Sequence, residues 1–450
     1  MQIILLSGGS GKRLWPLSNG TRSKQFLRVL KSPSGEYESM VQRVMRQIGE
    51  AGLEAEVTIA TSETQREAIT NQLGGGVAVV TEPERRDTFP AIALSAGWLA
   101  LEKGCSRDEV VVVMPCDPYT EVRYFETVGR MVEAVEADAA ELVLMGVEPT
   151  APSTKFGYVV PQSGEQGLSV QRVQRFTEKP SRERAEELLR EGAFWNGGVF
   201  AFRLGYMVDI IERYIHAADF AELRSRYGEF PKISFDYEVA EKAHSVAVVP
   251  YAGAWKDLGT WNSLAEELPE NCMGNGYIDA KCENTHVVNE LELPILCVGV
   301  KDVIVAASPD GILVCDKSAS EGMKSEVEKF DGRPMYEERR WGTYRVLGQT
   351  VYPDGHHSLT KLLHLNAGCS ISYQTHARRE EVWTFVDGEG LLALEGKVTR
   401  VGRGDVAHIR RGEHHAVKAL TDLEIIEVQS GDELVEEDIK RYPFEFPERV

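Results

Sequence analysis

The sequence predicts an α/β protein with a mostly parallel sheet, continued by a short β-rich linker and an all-β C-terminal domain. Three observations carry this prediction. Over about the first 265 residues, apolar runs alternate with amphipathic stretches, the pattern of βαβ units. From about Asn271 to Asp331, short apolar runs and turns follow one another without helical stretches between them. Beyond Arg333 the chain reads as strands throughout, and seven of the ten histidines lie in this last quarter. At about 100–200 residues per domain, 450 residues allow two or three domains, and the expected boundaries are 1–268, 269–332 and 333–450.

Taken in order, Ile3-Ile4-Leu5-Leu6 reads as a short buried strand that feeds a loop with Gly8, Gly9 and Gly11. Val57–Ala60, Val77–Val80, Val110–Met114 and Leu142–Val147 are the next strands. Ser62–Leu73, Pro90–Glu102 and Val122–Ala137 are the helices among them, and Thr88 or Asp87 caps the second. The continuous run Val110–Met114 suits a central parallel strand. Ligands of such a sheet gather outside the carboxyl ends of its strands. Asp117, just past that strand, can hold Mg²⁺ on substrate phosphates or serve as a turn residue. In the linker, Val287-Val288, Ile295-Leu296-Cys297, Val303-Ile304-Val305 and Ile312-Leu313-Val314 are short strands of a small β-solenoid or sheet. Glu321–Phe330 reads as a polar connecting helix.

The bulk properties exclude several classes. The composition, 42% apolar and 27% charged, is that of a globular protein. No run approaches the roughly 18 apolar residues of a membrane span. The N-terminus enters a strand with no basic region or cleavage site, so no signal peptide is expected. A net charge of −20 argues against nucleic acid or an anionic membrane as the main partner. Seven cysteines, an odd number with no C-x-x-C pair, fit free thiols in a reducing cytoplasm.

The loop after the first strand has the chemistry of a phosphate site. Glycines let the backbone approach a ligand closely, and successive N–H groups make an anion-binding concavity. Arg13 adds a bidentate fork and Lys24 a compact second charge. A P-loop is excluded because Leu6 stands at its first Gly and Arg13 at its Ser or Thr. A dinucleotide fingerprint is excluded because Leu14 stands at its third Gly. Further along, Glu178 can accept hydrogen bonds from vicinal sugar hydroxyls and Lys179 can neutralise a sugar phosphate; alternatively the two form only an exposed ion pair. Asn196 offers both a donor and an acceptor. Asp236 either reaches the site or caps the helix running into Glu238–Ala243.

With these residues in place, Gly8-Gly9-Ser10-Gly11-Lys12-Arg13-Leu14-Trp15-Pro16-Leu17-Ser18 and Lys24-Gln25-Phe26-Leu27 resemble the signature of the mannose-1-phosphate guanylyltransferases. The family usually has Thr at Lys12 and Pro at Ser23. The resemblance continues through Glu82–Ile92, Pro115-Cys116-Asp117, Thr154–Val159, Phe176–Pro180, Phe194–Phe200 and Asp257–Trp261. Asp87 stands where Asn is usual, and Gly197 where Ser is commoner. The resemblance implies a Rossmann-like nucleotidyltransferase domain that makes GDP-mannose and pyrophosphate from GTP and mannose 1-phosphate. It implies Gly8, Gly9, Ser10, Gly11, Lys12, Arg13 and Lys24 around the nucleotide, and Gly157, Glu178, Lys179 and Asn196 around the sugar phosphate. It implies Mg²⁺ on Asp117 and Asp257, with Arg13, Lys24, Asp117 and Asp257 as the catalytic set. A homodimer is the expected assembly, and another sugar 1-phosphate such as a heptose is the alternative substrate.

Near the C-terminus, Gln374-Thr375-His376-Ala377-Arg378-Arg379-Glu380-Glu381-Val382-Trp383 and Arg411-Gly412-Glu413-His414-His415 resemble the cupin domain of the type II phosphomannose isomerases. This implies a jelly roll in which Gln374, His376, Glu381 and His415 hold Zn²⁺ or another divalent ion. Gln374 and His376 have like parity on one strand and can face inward together. Arg378 stands where the family usually has a His, and an inward Arg378 would repel a metal and favour a bound phosphate. Three readings stay open: a transferase alone, a bifunctional enzyme that also interconverts fructose 6-phosphate and mannose 6-phosphate, or a cupin serving only as a sugar-phosphate sensor or dimer interface.

Overall fold

A computed structural model describes residues 1–9, 12–165, 167–330 and 332–447. Two compact units make it up: Met1–Ser10 with Ser23–Arg66 and Gly75–Pro269, and Gly11–Arg22 with Glu67–Gly74 and Glu270–Val450. No helix among the described residues is long and apolar enough to cross a membrane.

The first unit is built on a nine-stranded sheet. Its strands are β1 (Gln2–Ser7), β2 (Glu56–Ser62), β3 (Ala78–Glu82), β4 (Val110–Pro115), β5 (Leu142–Val147), β6 (Tyr158–Pro161), β7 (Gln171–Thr177), β8 (Phe194–Arg203) and β9 (Val246–Tyr251). They lie in the order β3-β2-β1-β4-β8-β5-β9-β7-β6. The expected parallel pairing holds from β3 to β4 and between β5 and β9. β8 runs antiparallel to both its neighbours, and β7 to both of its own, so the sheet is mixed. The apolar runs of β1 and β4 are buried at both parities, from Ile3 to Leu5 and from Val111 to Met114. A strand covered on both faces needs such a continuous run.

Helix α1 (Thr88–Leu101) covers one face, where Phe89, Ile92 and Leu99 pack with Ile4, Val111 and Val113. Each such side chain contributes about 1.5–3 kcal/mol when fully buried. Its N-cap is Asp87, whose carboxylate accepts from the Thr88 N–H at 2.7 Å. Thr88, the alternative cap, instead accepts the Phe235 N–H at 2.8 Å.

The chain leaves β1 toward β2 on one side and later returns to β4 on the other. The carboxyl ends of β1 and β4 therefore form a topological switch point, the usual place for a ligand in an α/β sheet. Register puts Leu6 opposite Pro115, with the Cys116 N–H donating to the Leu6 carbonyl at 3.2 Å. This brings the glycine loop and Asp117 together.

The second unit contains stacked parallel coils, as the solenoid expectation requires. Cys272–Met273, His286–Asn289 and Val303–Ser308 pair in parallel, as do Gly276–Ile278 and Ile295–Cys297. The helix expected over Glu321–Phe330 is shorter, Met323–Val327, and follows a 3-10 turn over Lys317–Gly322. Local side-chain bonds favour that turn: Asp316 accepts the Ser318 N–H at 2.8 Å, and the Ser320 hydroxyl donates to the Lys317 carbonyl at 2.8 Å. Residues 12–22 pack in this unit. Trp15 stacks on Phe330 at 5.3 Å, and the Ser308 hydroxyl donates to the Pro16 carbonyl at 2.6 Å. Arg22 forks onto Glu290 at 2.9 and 3.0 Å. A side chain at Gly311 would meet the Trp15 ring at 2.5 Å, so only glycine lets the ring lie there. The last part is a jelly roll of six- and five-stranded antiparallel sheets, which includes β10 (Gln374–His376), β11 (Arg379–Asp387), β12 (His415–Ala419) and β13 (Leu423–Gly431).

Candidate active site

At the switch point, buried glutamines hold the glycine loop. The Gln25 amide donates to the Gly8 carbonyl at 3.4 Å and the Ser7 hydroxyl at 3.2 Å. Gln65 donates to the Gly9 carbonyl at 3.2 Å and to the Ser23 hydroxyl, which itself donates to the Gly9 carbonyl at 3.1 Å. In a trans, planar peptide the Gly9 N–H points opposite to the Gly8 carbonyl. Pinning that carbonyl therefore turns the N–H away from Gln25. Gly8 and Gly9 line a cavity of about 340 Å³ with Ser62, Glu82, Arg85, Asp87 and Asp117. Ser10 and Gly11 lie outside the described residues. Lys12 and Arg13 are on a 3-10 turn, Lys12–Leu14, with Arg13 exposed.

Asp117 and Asp257 are 140 residues apart in sequence and meet through a two-stranded ribbon. Pro118–Thr120 pairs antiparallel with Trp255–Asp257, placing Asp257 opposite Pro118. Lys24 stands between the two carboxylates, with Nζ 2.8 Å from Asp117 Oδ2 and 2.8 Å from Asp257 Oδ1. Burial disfavours its charge, but Asp117 and Asp257 outweigh burial and raise the ammonium pKa. Expected on the triphosphate, Lys24 is thus the cation that compensates two like charges.

The residues expected around the sugar phosphate also converge. The Asn196 N–H donates to the Gly157 carbonyl at 2.8 Å. A Cβ on Gly157 would lie 2.3 Å from Glu178 Oε2 and 3.4 Å from Asn196 Cβ, so these three residues touch. Lys179 Nζ lies 2.7 Å from Glu178 Oε1; the Glu178 side chain is 9% exposed and that of Lys179 61%, with its charge turned to solvent. Lys179 holds a left-handed φ of 41°, a costly conformation for a non-glycine residue. The Asn196 amide donates to Asp236 Oδ1 at 2.6 Å, and Asn196 Oδ1 accepts the Gly198 N–H at 3.1 Å. Asp236 therefore reaches the site, while Ser234 caps its helix. Burial, then the Glu178 charge, pushes the Asp236 carboxyl up to about 6. A Cβ on Gly198 would lie 3.8 Å from Pro115 Cγ, so this cluster borders the end of β4.

In the jelly roll, His376, Glu381 and His415 offer ligand atoms within 4.8 Å of one another. His376 Nε2 is 3.2 Å from Glu381 Oε1, and His415 Nε2 is 3.6 Å from Glu381 Oε2. Burial lowers both histidine pKa values, that of His376 to about 4, and keeps the imidazoles neutral. For Glu381 burial acts upward, but the neighbouring His376, His415 and Arg379 outweigh it and hold the carboxyl below the usual carboxylate range. His415 Nδ1 lies 3.0 Å from the Glu413 carbonyl, which leaves the buried Nε2 without a hydrogen-bond partner among the described residues and free to ligate. Two neutral imidazoles and a carboxylate fit a divalent ion. Gln374, expected as an oxygen ligand, turns its amide nitrogen toward His376 (3.4 Å) and accepts from the Ser372 hydroxyl (3.0 Å).

The arginine expectation needs correction. Arg378 does not face inward; it is 59% exposed and pairs with Glu433. Arg379 is the inward arginine, donating to Glu381 Oε1 at 2.8 Å. The cause is strand parity: β11 begins at Arg379 and buries Arg379, Glu381, Trp383 and Phe385 on one face.

Residues 2–272 match the nucleotidyl transferase family, and residues 332–443 match the mannose-6-phosphate isomerase C-terminal family. The chain belongs to the nucleotidyl transferase family. It is 30% identical over 474 residues to the xanthan biosynthesis protein XanB of Xanthomonas campestris pv. campestris strain B100, covering 98% of this chain and 97% of that protein. It is 31% identical over 477 residues to the mannose-1-phosphate guanylyltransferase of Escherichia coli K12, with the same coverage of both chains. Among solved structures, one described as a mannose-1-phosphate geranyltransferase from Thermus thermophilus is 29% identical, with a TM-score of 0.61, covering 74% of this chain and 99% of that one.

Nucleotidyltransferases and cupin isomerases typically use divalent metals. In this family member the two half-exposed carboxylates already converge on one cation, Lys24, so the donor set at Asp117 and Asp257 suits a divalent cation. Sequence reasoning missed Gln65 as a pin of the Gly9 carbonyl, and included Gln25 only as part of the signature. Neither carries a local signal: each is a polar residue whose burial only the fold creates.

Proposed function

We propose that the chain is a mannose-1-phosphate guanylyltransferase, making GDP-mannose and pyrophosphate from GTP and mannose 1-phosphate in the cytoplasm. The observation that carries this reading is the convergence of Asp117 and Asp257 on Lys24 at the switch point, where Asp117 also lines the glycine-loop cavity. The sugar phosphate oxygen attacks the α-phosphorus of GTP in line. One O–P bond forms, the bond to the β-phosphate breaks, and pyrophosphate leaves. The nucleophile is already ionised at neutral pH, so no general base and no covalent enzyme intermediate are needed. Catalysis is alignment and charge neutralisation.

In this scheme the Gly9 N–H holds the triphosphate. Glu178 and Asn196 fix the sugar hydroxyls, Lys179 holds its phosphate, and Lys24 offsets the charge of the departing pyrophosphate. Mg²⁺ on Asp117 and Asp257 supplies charge neutralisation at the α-phosphate when bound. The seven free cysteines agree with a reducing compartment. The test is pyrophosphate release from mannose 1-phosphate with GTP, ATP, UTP or dTTP in turn. Release with GTP alone is expected, and release with none of the four would overturn the reading.

The cluster of His376, Glu381 and His415 favours a second activity, mannose-6-phosphate isomerisation with Zn²⁺ or another divalent ion in the cupin. A cavity beside Glu381, lined also by Gln374, Arg379 and Glu427, is where a hexose phosphate would enter. Isomerisation of fructose 6-phosphate by wild type, lost in His415→Ala while GTP turnover persists, would establish it.

A further inference from the structure

We propose that Lys24 is the built-in cation of the carboxylate pair. It holds Asp117 and Asp257 in the free protein and yields their oxygens to a divalent ion only when a nucleotide's phosphates offer its ammonium another partner. This rests on the reading of Asp117 and Asp257 as metal ligands, and goes beyond it by making metal entry depend on nucleotide.

The geometry is that of competition for the same atoms. Lys24 Nζ sits 2.8 Å from one oxygen of each carboxylate. It is also the more shielded partner, 19% exposed against 36% for Asp117 and 44% for Asp257. A bare cation arriving from solvent must displace this ammonium and leave it beside the metal's own charge. Mg²⁺ gives up its waters reluctantly and binds through one or two carboxylates together with substrate phosphates. Alone, it is poorly placed to win that exchange.

A nucleotide changes the balance because of where Lys24 is tethered. Its neighbours in sequence grip the glycine loop: the Ser23 hydroxyl donates to the Gly9 carbonyl at 3.1 Å, and the Gln25 amide to the Gly8 carbonyl at 3.4 Å. Gly9 and Asp117 line the same cavity. Phosphates held at that loop arrive beside the backbone that anchors Lys24, and the flexible four-carbon stem lets the ammonium turn to them. The carboxylates are then released to the incoming ion, and the total charge around them stays balanced.

The test is Mn²⁺ binding by the full-length chain with no nucleotide, read from the EPR signal of free Mn²⁺. Lys24→Met keeps an unbranched stem without the charge. We expect Lys24→Met to bind one Mn²⁺ at least about tenfold more tightly than wild type. Adding Asp117→Asn to that variant should remove the gain. Equal or weaker binding by Lys24→Met, or a gain that survives Asp117→Asn, would overturn the proposal.

Should Lys24→Met not fold, the wild type decides the matter. Weak Mn²⁺ binding alone, strengthened by a non-hydrolysable GTP analogue, is the expected result; tight stoichiometric Mn²⁺ without nucleotide overturns it. Pyrophosphate release by wild type separates the two readings. Turnover with GTP but no Mn²⁺ gain in the variant defeats only the gating role of Lys24, whereas no turnover with any nucleotide defeats the function itself.

Discussion

Replacing Gly157 with alanine adds one methyl group at the centre of the cluster proposed to hold the sugar phosphate. Gly157 is not among the residues with positive φ, so alanine can adopt its backbone conformation and the effect is steric. The new Cβ would lie 2.3 Å from Glu178 Oε2 and 3.0 Å from Phe176 Cζ. Non-bonded carbon contacts settle near 3.5 Å, so the Glu178 carboxylate must recede by roughly 1 Å. It is largely shielded from solvent and its other oxygen holds Lys179, so both groups move together. A 1 Å misplacement of a positioning group costs about 10²-fold in rate, equivalent to about 2.7 kcal/mol. The assay is steady-state pyrophosphate release, varying mannose 1-phosphate at saturating GTP and then the reverse. The expected result is a kcat/KM for mannose 1-phosphate about 10²-fold lower, with the KM for GTP within about twofold of wild type. A folded Gly157→Ala protein with unchanged kcat/KM for the sugar phosphate would refute the assignment of this cluster.

Three further outcomes follow from the same geometry. Asp257→Ala, at a 44% exposed position, should leave stability within about 0.5 kcal/mol while turnover falls at least about 10²-fold; wild-type turnover in the folded variant would remove Asp257 from the site. Arg22→Ala strips a 9% exposed guanidinium from Glu290 and should lower stability by about 3 kcal/mol, read as an earlier urea midpoint. Asp236, raised to about 6 in the folded protein from 3.8, holds its proton more tightly folded than unfolded. Its contribution to stability therefore falls as pH rises through that window and stays lower above it. Asp236→Asn should accordingly gain on wild type between pH 4 and 7.5 by about 1–2 kcal/mol, allowing for partial exposure. A constant difference between the two proteins across that range would contradict the shift.

Much of the candidate site is legible in sequence because its residues sit at the ends of strongly patterned elements. Ile3–Leu6 and Val110–Met114 announce buried strands, and the residues just beyond them, Gly8, Gly9 and Asp117, are at the ligand-binding edge wherever such strands lie parallel. The inward face of β11 was available in the same way. Glu381, Trp383 and Phe385 share a parity, and Arg379 shares it with them, so alternation marks Arg379 as the inward arginine. The family pattern pointed to Arg378 because it aligns residue types, not strand phase.

The sequence by itself determined the order of strands and helices, the solenoid and jelly roll that follow, and the chemical types gathered at each strand end. These depend on local periodicity and side-chain chemistry. Only the tertiary structure decided that β8 runs antiparallel between β4 and β5, that a short ribbon carries Asp257 to Asp117, and that Lys24 stands between them. It also decided that residues 12–22, in the middle of the signature, pack with the second unit through Trp15, Pro16 and Arg22. Local propensity does not encode such partners, because a strand or a lysine has the same pattern whatever distant residue it meets. Register, burial and charge compensation between segments more than a hundred residues apart select the pairing.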